Sequence, residues 1–268
     1  MVLSGINHGV KIADSYKYTK MINNTIKWQP DDFQLEETTI WSFPQHGDWA
    51  THDAKWRGNW SPYIPRNIIL RYSQEGDLVL DQFAGGGTTL VEAKLLNRNI
   101  IGVDCNDEAL TRCREKIDFD YPPAQGKVFL YKGDARDLYF QSDESVDLIC
   151  THPPYADIIK YSDGIPEDLS QLKVKDFLEA MKPVAAECYR VLKKGKFCAV
   201  LMGDTRQKGC MIPMSFDVMK IFQDAGFTLK ELIIKEQHNC KATGYWKTNS
   251  VKYNFLLIAH EYLFVFRK

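Results

Sequence analysis

Two clusters of residues have the types and spacing for chemistry. The first is Asp81-Gln-Phe-Ala-Gly-Gly-Gly-Thr-Thr89. Glycines in such a run let the backbone approach a ligand closely. An acidic residue, Asp104, follows 23 residues after Asp81. A carboxylate so placed can accept both ribose hydroxyls of a nucleoside cofactor. The second cluster is Thr151-His-Pro-Pro-Tyr155. Its prolines fix φ and stiffen the backbone, and Tyr155 offers a flat aromatic face. Either cluster alone also fits a bland role, as a glycine turn without a ligand or a rigid turn closing a strand. The glycine pattern is neither G-x-G-x-x-G nor a run ending in Gly-Lys-Ser/Thr, which weakens dinucleotide and nucleoside-triphosphate readings.

The hydrophobic pattern supplies elements to hold these clusters. Residues 77–83 form the first strong strand, and 88–96 a helix. Residues 99–104 form a second strand, and Asp107 to about Ile117 a second helix with Asn106 or Asp107 as its N-cap. Further strands are expected at 128–132, 146–151 and 197–202. Apolar positions at helical spacing cover 173–192, and a helix near 213–224 ends at Gly226. Two long strands, 227–236 and 253–266, close the chain across a polar loop. Strand and helix in alternation imply an α/β architecture, with a mostly parallel sheet and helices on both faces. The last two strands lack a helix between them and should pair antiparallel at one edge. Both chemical clusters then lie at the carboxyl ends of strands, where such sheets bind ligands. Residues 1–58 read as an irregular segment packing on or extending a catalytic domain at 59–268.

Composition narrows the function classes. The 268 residues carry 34 Lys+Arg and 35 Asp+Glu, a net charge of −1. That excludes a protein coated in basic charge but not a local basic face. With 44% hydrophobic residues the chain has material for a sizeable core. No run approaches the ~18–20 apolar residues that cross a bilayer, and the first residues lack the apolar stretch of a signal peptide. Seven cysteines without a CxxC pair suggest neither a zinc ribbon nor a disulfide framework. A reduced, cytoplasmic protein is the expectation, with no membrane partner.

The pattern D-x-F-A-G-x-G-T-T, followed by G-V-D and then by H-P-P-Y, resembles the DNA amino-methyltransferases. Those enzymes methylate N4 of cytosine or N6 of adenine using S-adenosyl-L-methionine (SAM). The resemblance spans roughly residues 59–204. It implies a Rossmann-like SAM-dependent methyltransferase fold, with a mostly parallel seven-stranded sheet and an antiparallel C-terminal hairpin. It also implies that Asp81 and the backbone of Phe83, Ala84, Gly85 and Gly87, with Thr88, border the methionine moiety. Asp104 would bind the ribose, and Asp134 would accept from the adenine amino group. Trp60 and Ser61 would cover the methionine carboxylate.

In the catalytic motif the resemblance implies roles for His152, Pro153, Pro154 and Tyr155. An exocyclic amine conjugated to an aromatic ring is a poor nucleophile. Acceptors that draw on its two N–H groups localise its lone pair. The first motif residue and the Pro153 carbonyl would supply those acceptors, and Tyr155 would stack on the extruded base. SAM carries the electrophile, so no metal is required. His152 stands where the family has Asp, Asn or Ser. A neutral imidazole has one acceptor nitrogen and an imidazolium has none, so activity should fall as pH drops through the His152 pKa. Lys160, Ser162 and Asp163 follow in a stretch that forms either a lid or a surface loop.

The order of motifs implies that the family's separate target-recognition domain is missing. Recognition would come from loops, the N-terminal segment, a partner subunit or a second copy. One candidate surface is 235–252, with Lys241, Tyr245, Trp246 and Lys247. Basic residues interleaved with aromatics suit phosphate contact and base stacking. The other is 51–71, with Lys55, Arg57, Arg66 and Arg71. Each could equally be a solvated segment, and Trp41 and Trp49 either pack or touch a base. The expected function is methyl transfer to the exocyclic amine of a flipped-out DNA base, in a restriction-modification or orphan setting. N4 of cytosine ranks above N6 of adenine on the Thr-x-Pro-Pro-Tyr pattern. An RNA amino-methyltransferase and a SAM-binding non-catalytic subunit are the alternatives.

Overall fold

The computed structural model describes residues 26–238 and 241–268, the side chains of 241–245 excepted. The strands are β1 (Ile40–Trp41), β2 (Leu78–Asp81), β3 (Asn99–Asp104), β4 (Val128–Lys132), β5 (Val146–Thr151), β6 (Leu192–Met202), β7 (Thr205–Gln207), β8 (Cys210–Ile212), β9 (Thr228–Glu236) and β10 (His260–Arg267). The helices are α1 (Tyr63–Tyr72), α2 (Thr88–Leu95), α3 (Asp107–Ile117), α4 (Val174–Val191), α5 (Met214–Asp224) and α6 (Lys241–Lys252). Eight strands form one sheet in the order β1-β9-β10-β6-β5-β2-β3-β4. β2 to β6 run parallel, and β10 runs antiparallel to β6 and β9.

The chain steps outward from β2 to β3 and β4, then returns to β5 on the other side of β2. Strand order therefore reverses between β2 and β5, which opens a crevice at their carboxyl ends. Alternate residues point to opposite faces. Leu80, Ile149 and Val200 meet Phe177, Met181 and Val184 of α4 and Phe222 of α5 on one face. Val79, Leu148 and Ala199 meet Ile64 and Ile68 of α1 and Leu90 of α2 on the other. Each fully buried side chain of this size contributes about 1.5–3 kcal/mol of transfer free energy. This two-sided burial explains why β5 has no exposed position.

The expected seven-stranded sheet gains an eighth strand. β1 lies parallel beside β9, with Ile40 opposite Ile234, and Trp41 is buried in the core. A second anchor lies around Glu92 of α2, which is fully buried. It accepts from Trp49 Nε1 at 2.7 Å and Arg66 Nη1 at 2.9 Å, and His52 Nε2 lies 2.7 Å away. Arg66 Nη2 also donates to Gln29 Oε1. Buried charge, together with the packing of Trp49 on Val91, Leu95 and Tyr63, holds this part of the N-terminal segment against α1 and α2.

Two connections differ from expectation. The link between β9 and β10 contains α6 rather than a polar loop alone, and β10 starts at His260, not Tyr253. β9 ends at Glu236, which pairs with His260, so earlier residues have no strand partner. Asn254 adopts φ of 51°, a left-handed conformation that asparagine tolerates and that breaks extended structure. The apolar run there leaves Tyr253 and Leu256 exposed. The small β7–β8 hairpin turns at Lys208 and Gly209, both at positive φ, as two-residue hairpin turns require. Among the described residues no helix is long and apolar enough to cross a membrane.

Candidate active site

β2 delivers Asp81 to the start of the glycine loop. Its carboxylate accepts from Thr89 Oγ1 at 2.6 Å, Thr151 Oγ1 at 2.8 Å and Phe83 N at 3.1 Å. Asp81 thus joins the glycine loop to the end of β5. Burial pushes its carboxyl up to about 6, against those three donors. Gly87 begins α2 at φ of 82°, a left-handed conformation open to glycine at no steric cost. At the end of β3, Asp104 accepts from Gly85 N at 2.8 Å and Asn106 N at 2.9 Å. Burial also raises the Asp104 carboxyl, opposed by these backbone donors.

A first cavity opens at the crevice between β2 and β5. Trp60, Asp81, Phe83, Ala84, Gly85 and Asp104 line it together with His152, Pro153 and Pro154. Ser61, Gly87 and Thr88 do not. Thr88 sits behind the loop, donating to Asn59 Oδ1 at 2.6 Å, and Ser61 donates to the His46 carbonyl at 3.0 Å while facing the neighbouring cavity. Asp134 is also outside the lining. Arg136 reaches back two residues and grips its carboxylate with Nε at 2.9 Å and Nη2 at 2.7 Å. Trp56, Asn59, Tyr161 and Asp168 join the lining without having been singled out, as does Asn106, expected only as a helix cap, which it also is. The Trp56 and Tyr161 rings are stacked at 6.2 Å. A Cβ on Gly86 would fall 2.8 Å from Trp56 Cβ, so only glycine fits under that indole without a shift. Asp81, Asp104, Glu167 and Asp168 give this cavity four carboxylates, and no Lys or Arg is among its described lining residues.

A second cavity of about 650 Å³ adjoins the first. The two share Gly58, Asn59, Trp60, His152, Pro153, Pro154 and Tyr161. The His152 ring stacks on Trp60 at 5.3 Å, and its Nε2 lies 2.7 Å from Tyr155 Oη. Burial pushes the His152 imidazolium down to about 4, over the pull of Glu261. The ring is therefore neutral at pH 7 and can accept. Tyr155 Oη donates to Glu261 Oε1 at 2.9 Å, and Lys235 Nζ donates to Glu261 Oε2 at 2.9 Å. Glu261 and Lys235 face each other across β10 and β9. A Cβ on Gly203 would fall 2.5 Å from Tyr155 Cε2, so the absence of a side chain there admits the tyrosine ring.

The nucleic-acid candidates separate. Trp246 and Lys247 are exposed on α6, and the side chains of Lys241 and Tyr245 lie outside the described residues. Arg57 is exposed and precedes Gly58, which lines both cavities. Arg66 does not belong to a basic surface, because it is buried against Glu92. Trp41 and Trp49 are 1% and 0% exposed, so they pack rather than meet a base.

A DNA methylase family model for N6 and N4 methyltransferases matches residues 7–115 and 146–268, well over half of the chain. The chain belongs to the N6/N4 DNA methylase family. SAM is accordingly its cofactor. This methylase is 32% identical over 112 residues to the type II methyltransferase M.HpaI of Haemophilus parainfluenzae, covering 41% of this chain and 33% of that protein. It is 32% identical over 131 residues to a tRNA (guanine(10)-N2)-dimethyltransferase of Methanothermobacter thermautotrophicus, covering 48% and 36%. With M2.DpnII of Streptococcus pneumoniae it shares 45% identity over 56 residues, 21% of each chain. The methylase thus spans about a third or less of these relatives. A SAM-dependent methyltransferase structure from Methanosarcina mazei superposes with a TM-score of 0.53 at 16% identity, covering 75% of this chain and 96% of that one, a likeness of fold.

Proposed function

We propose that this methylase transfers a methyl group to the exocyclic amine of a nucleic-acid base extruded into the second cavity. The observation that carries the reading is that the two cavities meet at His152, Pro153 and Pro154. A cofactor in one and a planar amine in the other would face each other across that loop. When bound, SAM supplies a methyl group on a sulfonium, a ready electrophile. The first cavity suits it, since a lining of four carboxylates without Lys or Arg favours a cation. Asp104 would take the ribose hydroxyls, and Asp81 with the glycine-loop backbone would border the methionine end. Asp134 would reach the adenine amine only after release by Arg136.

His152 and the Pro153 carbonyl would accept the two amine N–H groups and concentrate the lone pair on nitrogen. That lone pair makes the new N–C bond as the S–C bond breaks. The surplus amine proton passes to water, because His152, held at about 4, is too weak a base to keep it. Tyr155 would steady the base through its ring.

We favour DNA as substrate, and N4 of cytosine over N6 of adenine on the Thr-x-Pro-Pro-Tyr pattern. The type II relatives support a restriction-modification setting. RNA is the second reading, favoured by the match to the tRNA methyltransferase. Arg57, Trp246 and Lys247 would contact phosphate and bases, with a partner subunit or second copy completing recognition. Residues 59–268 would form the catalytic unit, with 1–58 as its extension. The test is methyl transfer from labelled SAM to duplex DNA and, in parallel, to unmodified RNA, followed by nucleoside mass spectrometry. N4-methylcytosine or N6-methyladenine from DNA is the expected result. Product from RNA alone moves the enzyme to the second reading, and SAM binding without product from either overturns catalysis.

A further inference from the structure

Glu261 is a buried charge near the start of β10, just before the buried run Leu263–Phe266, and the chemistry above does not use it. Its contacts form a chain with a direction. Lys235 Nζ donates to Oε2, and Tyr155 Oη donates to Oε1. An ionised carboxylate only accepts, and a tyrosine hydroxyl has one hydrogen to give. With that hydrogen on Glu261, the contact between Tyr155 Oη and His152 Nε2 must be filled by the histidine donating. A neutral imidazole carries one N–H, so Nδ1 is left bare.

We propose that Lys235, Glu261 and Tyr155 are positioning residues that lock His152 in its Nε2–H tautomer, so that Nδ1 is the acceptor offered to the substrate amine. The consequence for catalysis rests on the methyltransferase reading above. An amine nitrogen approaching His152 presents N–H groups. The opposite tautomer would turn an N–H toward it and lose the acceptor. The other groups around the ring do not upset this order. Burial opposes ionisation of Glu261, but the Lys235 ammonium and the hydrogen bonds from Lys235 and Tyr155 outweigh it and keep the carboxyl below its usual range. The remaining neighbour, Trp60, meets His152 through stacked rings. Asp204, Lys235, His238 and His260 also line this cavity, and of these Lys235 acts on His152 by opposing its protonation.

The chain makes a specific reversal testable. In Glu261→Gln the amide oxygen must face the Lys235 ammonium, which turns the amide NH₂ toward Tyr155. Tyr155 then accepts from Gln and donates to Nε2, and His152 moves its proton to Nδ1. Nitrogen-15 NMR of the histidine-labelled full chain reads this directly. The wild type should show a bare Nδ1 and a protonated Nε2 from pH 5.5 to 8. Glu261→Gln should show the reverse, with kcat lower by about 100-fold and the KM for SAM and unfolding midpoint little changed. Lys235→Arg, which keeps the cation, should keep the wild-type tautomer and retain most of the wild-type rate. A protonated Nδ1 in the wild type overturns the proposal. So does an unchanged tautomer in Glu261→Gln, or a reversed tautomer with unchanged kcat. If the wild type methylates no nucleic acid, the functional reading fails, while the NMR result still decides the tautomer lock.

Discussion

Glu92 and Glu261 are both buried, and each accepts from an aromatic side chain and pairs with a cation. Each also has a histidine in its network. Yet they serve different ends. Glu92 lies within a helix on one face of the sheet, and none of Trp49, His52 or Arg66 lines either cavity. Glu261 lies at the edge where the parallel strands end, lines the second cavity, and its chain stops at a histidine lining both. A buried glutamate therefore says little by its chemistry alone. Its place relative to the strand ends decides whether it holds the fold or prepares a ligand site.

The contrast is most open to attack at Glu92. Glu92→Ala strands Arg66 in the interior, which should cost about 3–5 kcal/mol. Urea unfolding would measure it, and SAM affinity in the surviving folded protein should match wild type. A loss under about 1 kcal/mol would show that the segment before α1 is held by packing instead. The opposite profile is expected at the site. His152→Ala should lower kcat by about 10²–10³-fold with a nearly unchanged unfolding midpoint. If stability falls as much as rate, the two regions are not distinct in kind.

Carboxylates facing the first cavity sharpen the same point. Asp104→Asn loses the charge and keeps an acceptor for only one of Gly85 N and Asn106 N, which bond separate carboxylate oxygens. Calorimetry should show SAM binding weaker by about 1.5–3 kcal/mol, with the fold intact. The smallest effect should be in pH dependence. Asp81, raised to about 6, is neutral below that value and charged above it. Affinity for cationic SAM should therefore weaken as pH falls through about 6, by at most about tenfold per unit. His152 titrates near 4, so the rate at saturating substrate should show no histidine step near about 6.5. Such a step would place the ring in water.

Much of this was legible from residues because local order and chemistry coincide. The strand–glycine–helix run from Asp81 to Leu95 and the acid ending β3 follow from propensity and spacing. Thr151 to Tyr155 falls at a strand end for the same reason. Asp168 and Tyr161 were hidden because they reach the cavity through turns without a period. Lys235 and Glu261 lie 26 residues apart and meet only through strand register. A signal for Glu261 did exist, as an acidic residue just before the apolar run Leu263–Phe266. Asp134 carries a contact that spacing does not reveal: it follows β4 as a ligand residue would, and Arg136 folds back onto it.

Gly203 touches the chemistry only through what it lacks. Its bare Cα lets the Tyr155 ring settle against the end of β6. A methyl group there would push the ring away from β6 and reshape the second cavity, which Tyr155 and Gly203 both line. The bore of the pocket is thus governed by a single hydrogen atom on β6's flank, and any larger side chain there resets where the Tyr155 ring can lie.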